Sequence, residues 1–247
     1  MNANSSIGLL QADKLCKSYR GRTVVDGLSL SLEAGQIVGL LGPNGAGKTT
    51  TFHMLVGLVR PSSGRVLLDG RDITHLPMHL RARAGLGFLS QEPSIFRGLS
   101  VLDNLRLVLE LQGFHGRQAI SQAEAILEEF DLRHLADQPA ASCSGGERRR
   151  LEVARTMACR PRFLLLDEPF SGIDPIALQD IRRQIMRLAE KGLGMLITDH
   201  NIAEALSICQ RALVISGGRL VVEGTPGEIV QHSQARAEFL GVEFTLS

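Results

Sequence analysis

One stretch of nine residues restricts the fold of this chain more than any other. Gly42-Pro43-Asn44-Gly45-Ala46-Gly47-Lys48-Thr49-Thr50 matches the pattern G-x-x-x-x-G-K-[ST]. It lies between an apolar run, Ile37-Val38-Gly39-Leu40-Leu41, and a helical-looking segment from Thr50 to Leu58. Strand, glycine loop and helix in that order make a phosphate cradle. The glycines let successive backbone N–H groups turn inward on an anion, and the helix adds its positive end at the same place. Lys48 supplies a mobile positive charge for the β- and γ-phosphates, and the Thr49 hydroxyl is a ligand for Mg²⁺. A plain glycine turn is the competing reading, which the flanking strand and helix disfavour.

Around this loop the chain reads as an α/β protein. Leu9 to Tyr19 and Arg22 to Leu32 read as antiparallel strands, with Leu28, Leu30 and Leu32 alternating with Ser29 and Ser31. Arg60-Pro61-Ser62-Ser63-Gly64 is a turn, Arg65 to Asp69 a short strand closed by Gly70, and Gly85 to Ser90 another strand. From Glu92 to about Arg160 the pattern is helical instead. Ser100 opens a helix that Gly113 stops, and Ser121 with Glu124 forms a capping box before Ile126, Leu127 and Phe130. The core resumes with Phe163-Leu164-Leu165-Leu166, a continuous apolar run suited to a central parallel strand. Asp174-Pro175 opens a helix, Gly194 to Thr198 is a strand, and Gly217-Gly218 joins the hairpin strands Arg211 to Ser216 and Arg219 to Glu223. Thr225-Pro226-Gly227-Glu228 is a second capping box.

With 247 residues, the chain has the length of one domain or one domain with a subdomain. The expected division is a core with a β subdomain in 1–91 and 161–247, and a helical subdomain in 92–160. A net charge of +1 gives no reason to expect nucleic acid as a partner. Cys16, Cys143, Cys159 and Cys209 have no metal or disulfide spacing and fit reduced thiols. Met1 to Leu10 does not read as a secretory signal, and no apolar run approaches the ~20 residues that cross a bilayer. The expectation is a cytoplasmic protein whose membrane role, if it has one, comes through a partner.

Two further segments bear on the chemistry. The buried strand ends in Asp167 and Glu168, at the sheet edge where α/β proteins bind ligands. Asp167 is suited to the Mg²⁺ shell and Glu168 to orienting or deprotonating an attacking water; a solvated acidic turn is the plainer alternative. Ser144-Gly145-Gly146-Glu147 is a capping box as pure structure. Its two glycines are poor helix residues, and they make sense where backbone N–H groups approach a phosphate.

That turn beside a phosphate loop is the signature of the ATP-binding-cassette (ABC) family, which the chain resembles over nearly its full length. The resemblance implies a P-loop NTPase (RecA-like) core with an antiparallel β subdomain and an inserted α-helical subdomain, an ATPase activity, and ATP with Mg²⁺. It implies that Gln91 is the Q-loop residue touching Mg²⁺ and the attacking water. It implies that His200 is the switch histidine on the γ-phosphate, and that Ser171-Gly172-Ile173-Asp174 is the D-loop that crosses between subunits. Tyr19 resembles the aromatic that stacks on adenine, with a packed strand aromatic as the alternative. Two copies arranged head to tail would each clamp a nucleotide between one chain's Lys48 loop and the other's Ser144-Gly145-Gly146. Cys143 and Glu147 depart from the leucine and glutamine usual in the signature. Arg148-Arg149-Arg150 reads as a solvated face pairing with Glu147 and Glu152.

A single cassette of this family usually powers separate transmembrane subunits. The cluster Pro93-Ser94-Ile95-Phe96-Arg97-Gly98-Leu99 is the expected docking surface, with the core of the insert as the alternative role for Ile95, Phe96 and Leu99. Strings such as SQEPSIFRGLSVLDNL, CSGGERRRLEVAR, LLLDEPFSGIDPIALQDI, LITDHNIAEAL and EFLGVEFTLS resemble one branch of the family, the ATPases of lipopolysaccharide export at the bacterial inner membrane. The ATPases of branched-chain amino-acid importers share much of this layout and remain open. Cassette proteins that maintain chromosomes carry a long coiled coil between phosphate loop and signature, for which the fewer than about 100 residues here leave no room.

Overall fold

The computed structural model describes residues 8–172 and 174–240. Residues 1–7 of the N-terminal segment, Ile173 of the expected D-loop and residues 241–247 of the final string lie outside the described residues.

The chain opens with β1 (Leu9–Tyr19) and β2 (Arg22–Glu33), paired antiparallel. Leu28, Leu30 and Leu32 of β2 point into the core while Ser29 is exposed, as their alternation requires. Then come β3 (Ile37–Leu41) and α1 (Lys48–Val56). They are followed by β4 (Ser63–Leu68), β5 (Arg71–Asp72), α2 (Met78–Arg83) and β6 (Leu86–Leu89). The β4–β5 turn places Asp69 and Gly70 at φ 51° and 76°. β5 and α2 have no counterpart among the sequence expectations, because elements this short display no period.

Three helices follow: α3 (Val101–Leu111), α4 (Gly116–Glu129) and α5 (Gly145–Ala158). The capping box expected at Ser121 and Glu124 does not form, since α4 starts nearly two turns earlier, with His115 at its N-cap. The reason is packing. Ala119, Ala123 and Leu127 form a buried stripe at helical spacing, and that stripe extends upstream of Ser121. Leu105, Leu109, Leu127, Phe130, Cys143 and Leu151 join these helices in one apolar cluster. Cys143, in place of the leucine usual there, is buried in it.

The chain returns through β7 (Phe163–Asp167), α6 (Pro175–Glu190), β8 (Gly194–Thr198), α7 (Ile202–Ile208), β9 (Arg211–Ser216), β10 (Arg219–Gly224) and α8 (Pro226–Gln231). Gly217 and Gly218 turn the last hairpin at φ 55° and 83°, and Thr225 with Glu228 completes the expected capping box.

Two sheets result, of order β2-β1-β4-β5 and β10-β9-β3-β8-β7-β6. The first is antiparallel throughout. In the second, β9, β3, β8, β7 and β6 run parallel and β10 is an antiparallel edge. Strands β3, β7 and β8 are buried at every residue, the condition that explains their unbroken apolar sequences. This is a P-loop NTPase core with an antiparallel sheet beside it. The carboxyl ends of the parallel strands point one way, and the Gly42–Thr50 loop, Gln91, Glu168 and His200 follow those ends.

A buried arginine holds the far end of α1. Arg81 is 1% exposed. Its guanidinium donates to the carbonyls of Met54 and Leu55 at the end of α1, and to those of Leu76 and Thr74. Burial draws its pKa down to about 10, so it stays cationic at neutral pH against the negative end of the helix. Gly57 leaves it room, since a Cβ there would lie 2.8 Å from Arg81 Nε. Arg81→Met, which strands these carbonyls without partners, is expected to lower the free energy of unfolding by about 2–4 kcal/mol in urea titrations.

Candidate active site

The phosphate loop is wedged between two strands of different sheets. A Cβ on Gly42 would sit 2.1 Å from the Ile215 carbonyl of β9, and one on Gly47 would sit 2.7 Å from the Val24 carbonyl of β2. Gly47 adopts φ 104° as the N-cap of α1, with no side chain capping the helix and no acidic residue in its first turn. The amides and dipole of that terminus are therefore left to a ligand. Asn44, Gly45 and Thr49 are exposed, Pro43 and Thr50 half-buried, and Ala46 buried. Lys48 is buried, and its Nζ donates to the Gly42 and Pro43 carbonyls at 2.7 and 3.0 Å. Burial lowers its pKa, opposed by the nearby charges of Glu168 and Asp167.

The two carboxylates have different environments. Asp167, the last residue of β7, is buried and accepts from the Thr198 hydroxyl at 2.5 Å. Burial pushes its pKa up, against that hydrogen bond. Glu168 follows at φ 49°, a left-handed conformation unusual for a side chain with a Cβ. The Thr198 carbonyl fixes it by accepting its amide at 2.8 Å. Glu168 Oε2 accepts from Gln91 Nε2 at 2.7 Å and lies 3.3 Å from His200 Nδ1. Gln91, Glu168 and His200, from three strand ends, thus meet at one oxygen.

Tyr19, at the end of β1, is 45% exposed, with Lys17 Nζ 5.0 Å from its ring centroid. The alternative of a packed strand aromatic is therefore excluded. Ser144 caps α5 in a complete capping box: it accepts from Glu147 N at 3.3 Å and donates its own amide to Glu147 Oε2 at 2.7 Å. That backbone bond holds the Glu147 pKa below the usual carboxylate range. The two glycines of this turn differ. Gly145 is exposed with open space around it, whereas a Cβ on Gly146 would meet the Ala177 Cβ at 2.8 Å. Close approach of α5 to α6 accounts for the second glycine, while the first leaves the start of the helix open. Asp174 Oδ1 accepts from Ala177 N at 3.0 Å, the expected N-cap of α6. Among the described residues, no hydrogen bond or ion pair joins the Ser144–Glu147 turn to the 42–50 loop.

The arginine tract is not the solvated face that its charge suggested. Arg148 donates to the Cys143 carbonyl, and Arg150 lies 3.7 Å from Asp180. Arg149 is buried with Glu152, the two 3.0 Å apart. This pair brackets the segment after β6: Arg149 donates to the Ser90 carbonyl and Glu152 accepts from Ser94 N. Arg155 donates to the Ser94 carbonyl and hydroxyl, and fully buried Asn104 binds both backbone groups of Phe96. Residues 90–96 are thus tied to α5 and α3. Ile95 is buried in the helical cluster, Phe96 and Arg97 are exposed, and Leu99 is half-buried. The core reading therefore holds for Ile95 alone.

Sequence reasoning passed over Thr198, Asp199 and Asn104, and it paired Glu152 with the arginine tract on a solvated face where the pair is buried. For the first two, a polar pair at the end of an apolar strand next to His200 was available as a signal. Glu152 lies three residues from Arg149, an i,i+3 spacing whose inward direction nothing in a charge run reveals. Asn104 carried no signal.

Comparisons with known proteins bear on the fold and the family. A family model described as ABC transporter matches residues 25–171. The lipopolysaccharide export system ATP-binding protein LptB of Escherichia coli is 52% identical over 238 residues, covering 96% of this chain and 99% of that one. The protein of the same name from Haemophilus influenzae is 48% identical, covering 97% of this chain and 100% of that one. Among solved structures, the ADP conformation of an ATP-binding cassette of an ABC transporter superposes with a TM-score of 0.85 at 25% identity, over 96% of this chain and 100% of the other.

Gly146→Ala is expected to push α5 away from α6 and cost about 1–3 kcal/mol of stability, with Ala177→Gly in the same chain restoring most of it. Thermal unfolding of the two single variants and the double variant checks this.

Proposed function

The chain belongs to the ABC transporter family, and from that premise we propose that it is the ATPase subunit of a complex that extracts lipopolysaccharide from the inner membrane and sends it toward the outer membrane through separate membrane-spanning subunits. The cargo rests on one observation: about half of all residues, along nearly the whole of both chains, are shared with proteins named for lipopolysaccharide export. The protein works at the cytoplasmic face of that membrane. Among the described residues no helix is long and apolar enough to cross it.

ATP lies with its adenine on the open Tyr19 ring and its phosphates on the amides of the Gly42–Thr50 loop. Lys48 exchanges the neutral carbonyls of Gly42 and Pro43 for charged phosphate oxygens, which makes stronger bonds. The exposed Thr49 hydroxyl, the Asp167 carboxylate and the Gln91 amide oxygen form an all-oxygen donor set. With phosphates and waters completing the shell, this set suits Mg²⁺. That ion, when bound, offsets charge on the β- and γ-phosphates. Glu168, directed by Gln91 and His200, accepts a proton from the water that attacks the γ-phosphorus, while the ADP oxygen leaves with the bonding pair. His200, whose ring is more than half exposed, reaches the γ-phosphate.

The Ser144 hydroxyl and Gly145 amide open outward and act on the nucleotide of a second copy, with Gly146 and Glu147 shaping the turn and Asp174 ending the crossing segment. The dimer is head to tail and closes on ATP. Phe96 and Arg97, with Ile95 and Leu99 behind them, meet the membrane subunits. Arg155 stacks over Phe96 at 5.1 Å, and an apolar hollow lined by Met78, Phe88, Val108 and Pro161 lies nearby.

Capture of the full chain from its native membranes tests the cargo. Lipopolysaccharide-export membrane subunits in the complex support it, and amino-acid importer subunits in their place overturn it. Glu168→Gln should slow ATP turnover about 100-fold or more and accumulate an ATP-bound dimer on gel filtration; a variant that stays monomeric in saturating ATP contradicts the two-copy site. Phe96→Ala should keep ATP binding and lose transport in reconstituted vesicles, and an unchanged transport rate counts against docking there.

A further inference from the structure

Asp199 takes no part in the chemistry above, yet it is 0% exposed at the very edge of the site. A carboxylate with no access to water needs partners, and its partners come from two separate segments. Oδ2 accepts the amide of Phe170 at 3.0 Å, two residues beyond Glu168. Oδ1 accepts the amide of Asn201 at 2.8 Å, directly after His200. Asn201 in turn caps α7 by accepting from Glu204 N. The segment after β7 and the segment after β8 are therefore joined through one side chain. Burial raises the Asp199 pKa, and the two amides and His200 counter it.

Both joined segments carry groups whose placement decides the reaction. His200 Nδ1 lies 3.3 Å from Glu168 Oε2 and 3.7 Å from Asp199 Oδ1. Glu168 holds a strained φ of 49° that its neighbours must enforce. Phe170 is buried against the helical cluster, and past it the chain runs through Ser171 and Gly172 toward Asp174.

We propose that Asp199 is a positioning residue for ATP hydrolysis, a double acceptor that joins the segments after β7 and β8 and so sets His200 relative to Glu168. It touches neither nucleotide nor water. Two backbone N–H groups converge on it from different strands, and a carboxylate is the compact side chain with an acceptor for each. Asparagine has the same shape but turns an NH₂ toward one of the two amides, so one link is lost while the volume is kept.

This proposal rests on the assignment of Glu168 and His200 to hydrolysis, and the test separates the two. ATP turnover, affinity for a fluorescent ATP analogue and melting temperature are measured for Asp199→Asn, His200→Ala, the double variant and Glu168→Gln. Asp199→Asn should lower kcat about tenfold with analogue affinity within about twofold of the parent. In the His200→Ala background it should add less than about twofold, because a residue that acts through another loses its effect once that other is gone. If Asp199→Asn does not fold, Asp199→Thr, which keeps a single acceptor oxygen, carries the same expectation. An unchanged kcat, or effects of Asp199→Asn and His200→Ala that simply multiply, overturns the proposal while Glu168→Gln remains inactive. Full turnover in Glu168→Gln would instead remove the assignment on which it rests.

Discussion

Parallel pairing of β7 with β8, kept in register as far as Asp167 opposite Thr198, is the constraint on which the site depends. Because the strands are parallel, both release their chains at the same edge. The residues that follow, Glu168 on one side and Asp199-His200 on the other, are brought together by the ladder and need no independent folding. The ladder also continues into side chains. The Thr198 hydroxyl reaches Asp167, the Thr198 carbonyl takes the Glu168 amide, and Asp199 takes that of Phe170. The Glu168 carboxylate therefore does not stand on a loose loop. Here its backbone is held in a conformation that it would seldom choose alone.

The same economy governs the phosphate loop. Gly42 and Gly47 are packed against the carbonyls of Ile215 and Val24, so the loop is shaped by β9 and β2 as much as by its own sequence. Gly218, in the hairpin beyond β9, approaches the same Val24 carbonyl and donates its amide to Ala46. The antiparallel sheet and the parallel sheet meet at this loop, and a change of their relative position would change the cradle.

Helix α5 links the remaining parts. One end presents Ser144 and Gly145 outward, and its first turn rests on Ala177 of α6 through Gly146. Further along, Arg149, Glu152 and Arg155 grip Ser90 and Ser94, which flank Gln91 and lead to the exposed Phe96. A shift of the signature end of this rigid rod would be felt at both ends of that segment. The Arg149–Glu152 pair is nearly dry, where removal of one partner costs far more than the loss of a surface ion pair. An arginine-rich tract that reads as a solubilising surface is in this setting an internal clamp.

The α/β class, the phosphate loop, the carboxylate pair at a strand end and the capping boxes at Ser144 and Thr225 were legible in the sequence, because each is a local pattern. Backbone freedom at glycines, a buried strand's unbroken apolar run and a cap three residues from its partner depend only on neighbours along the chain. The start of α4 was misplaced because its buried stripe, not its polar pair, decides where the helix begins. What the sequence left open was direction: whether Arg149 points to water or inward, whether Tyr19 is packed or open, and which glycine of Gly145-Gly146 stands open and which packs on the neighbouring helix. Asp199 and Asn104 belong to the same group, since their partners are distant in the chain or on backbone atoms that every residue possesses. Only tertiary structure decided these points, because burial and hydrogen-bond partners are set by what packs opposite, and one chain read in order does not contain that information in any local form.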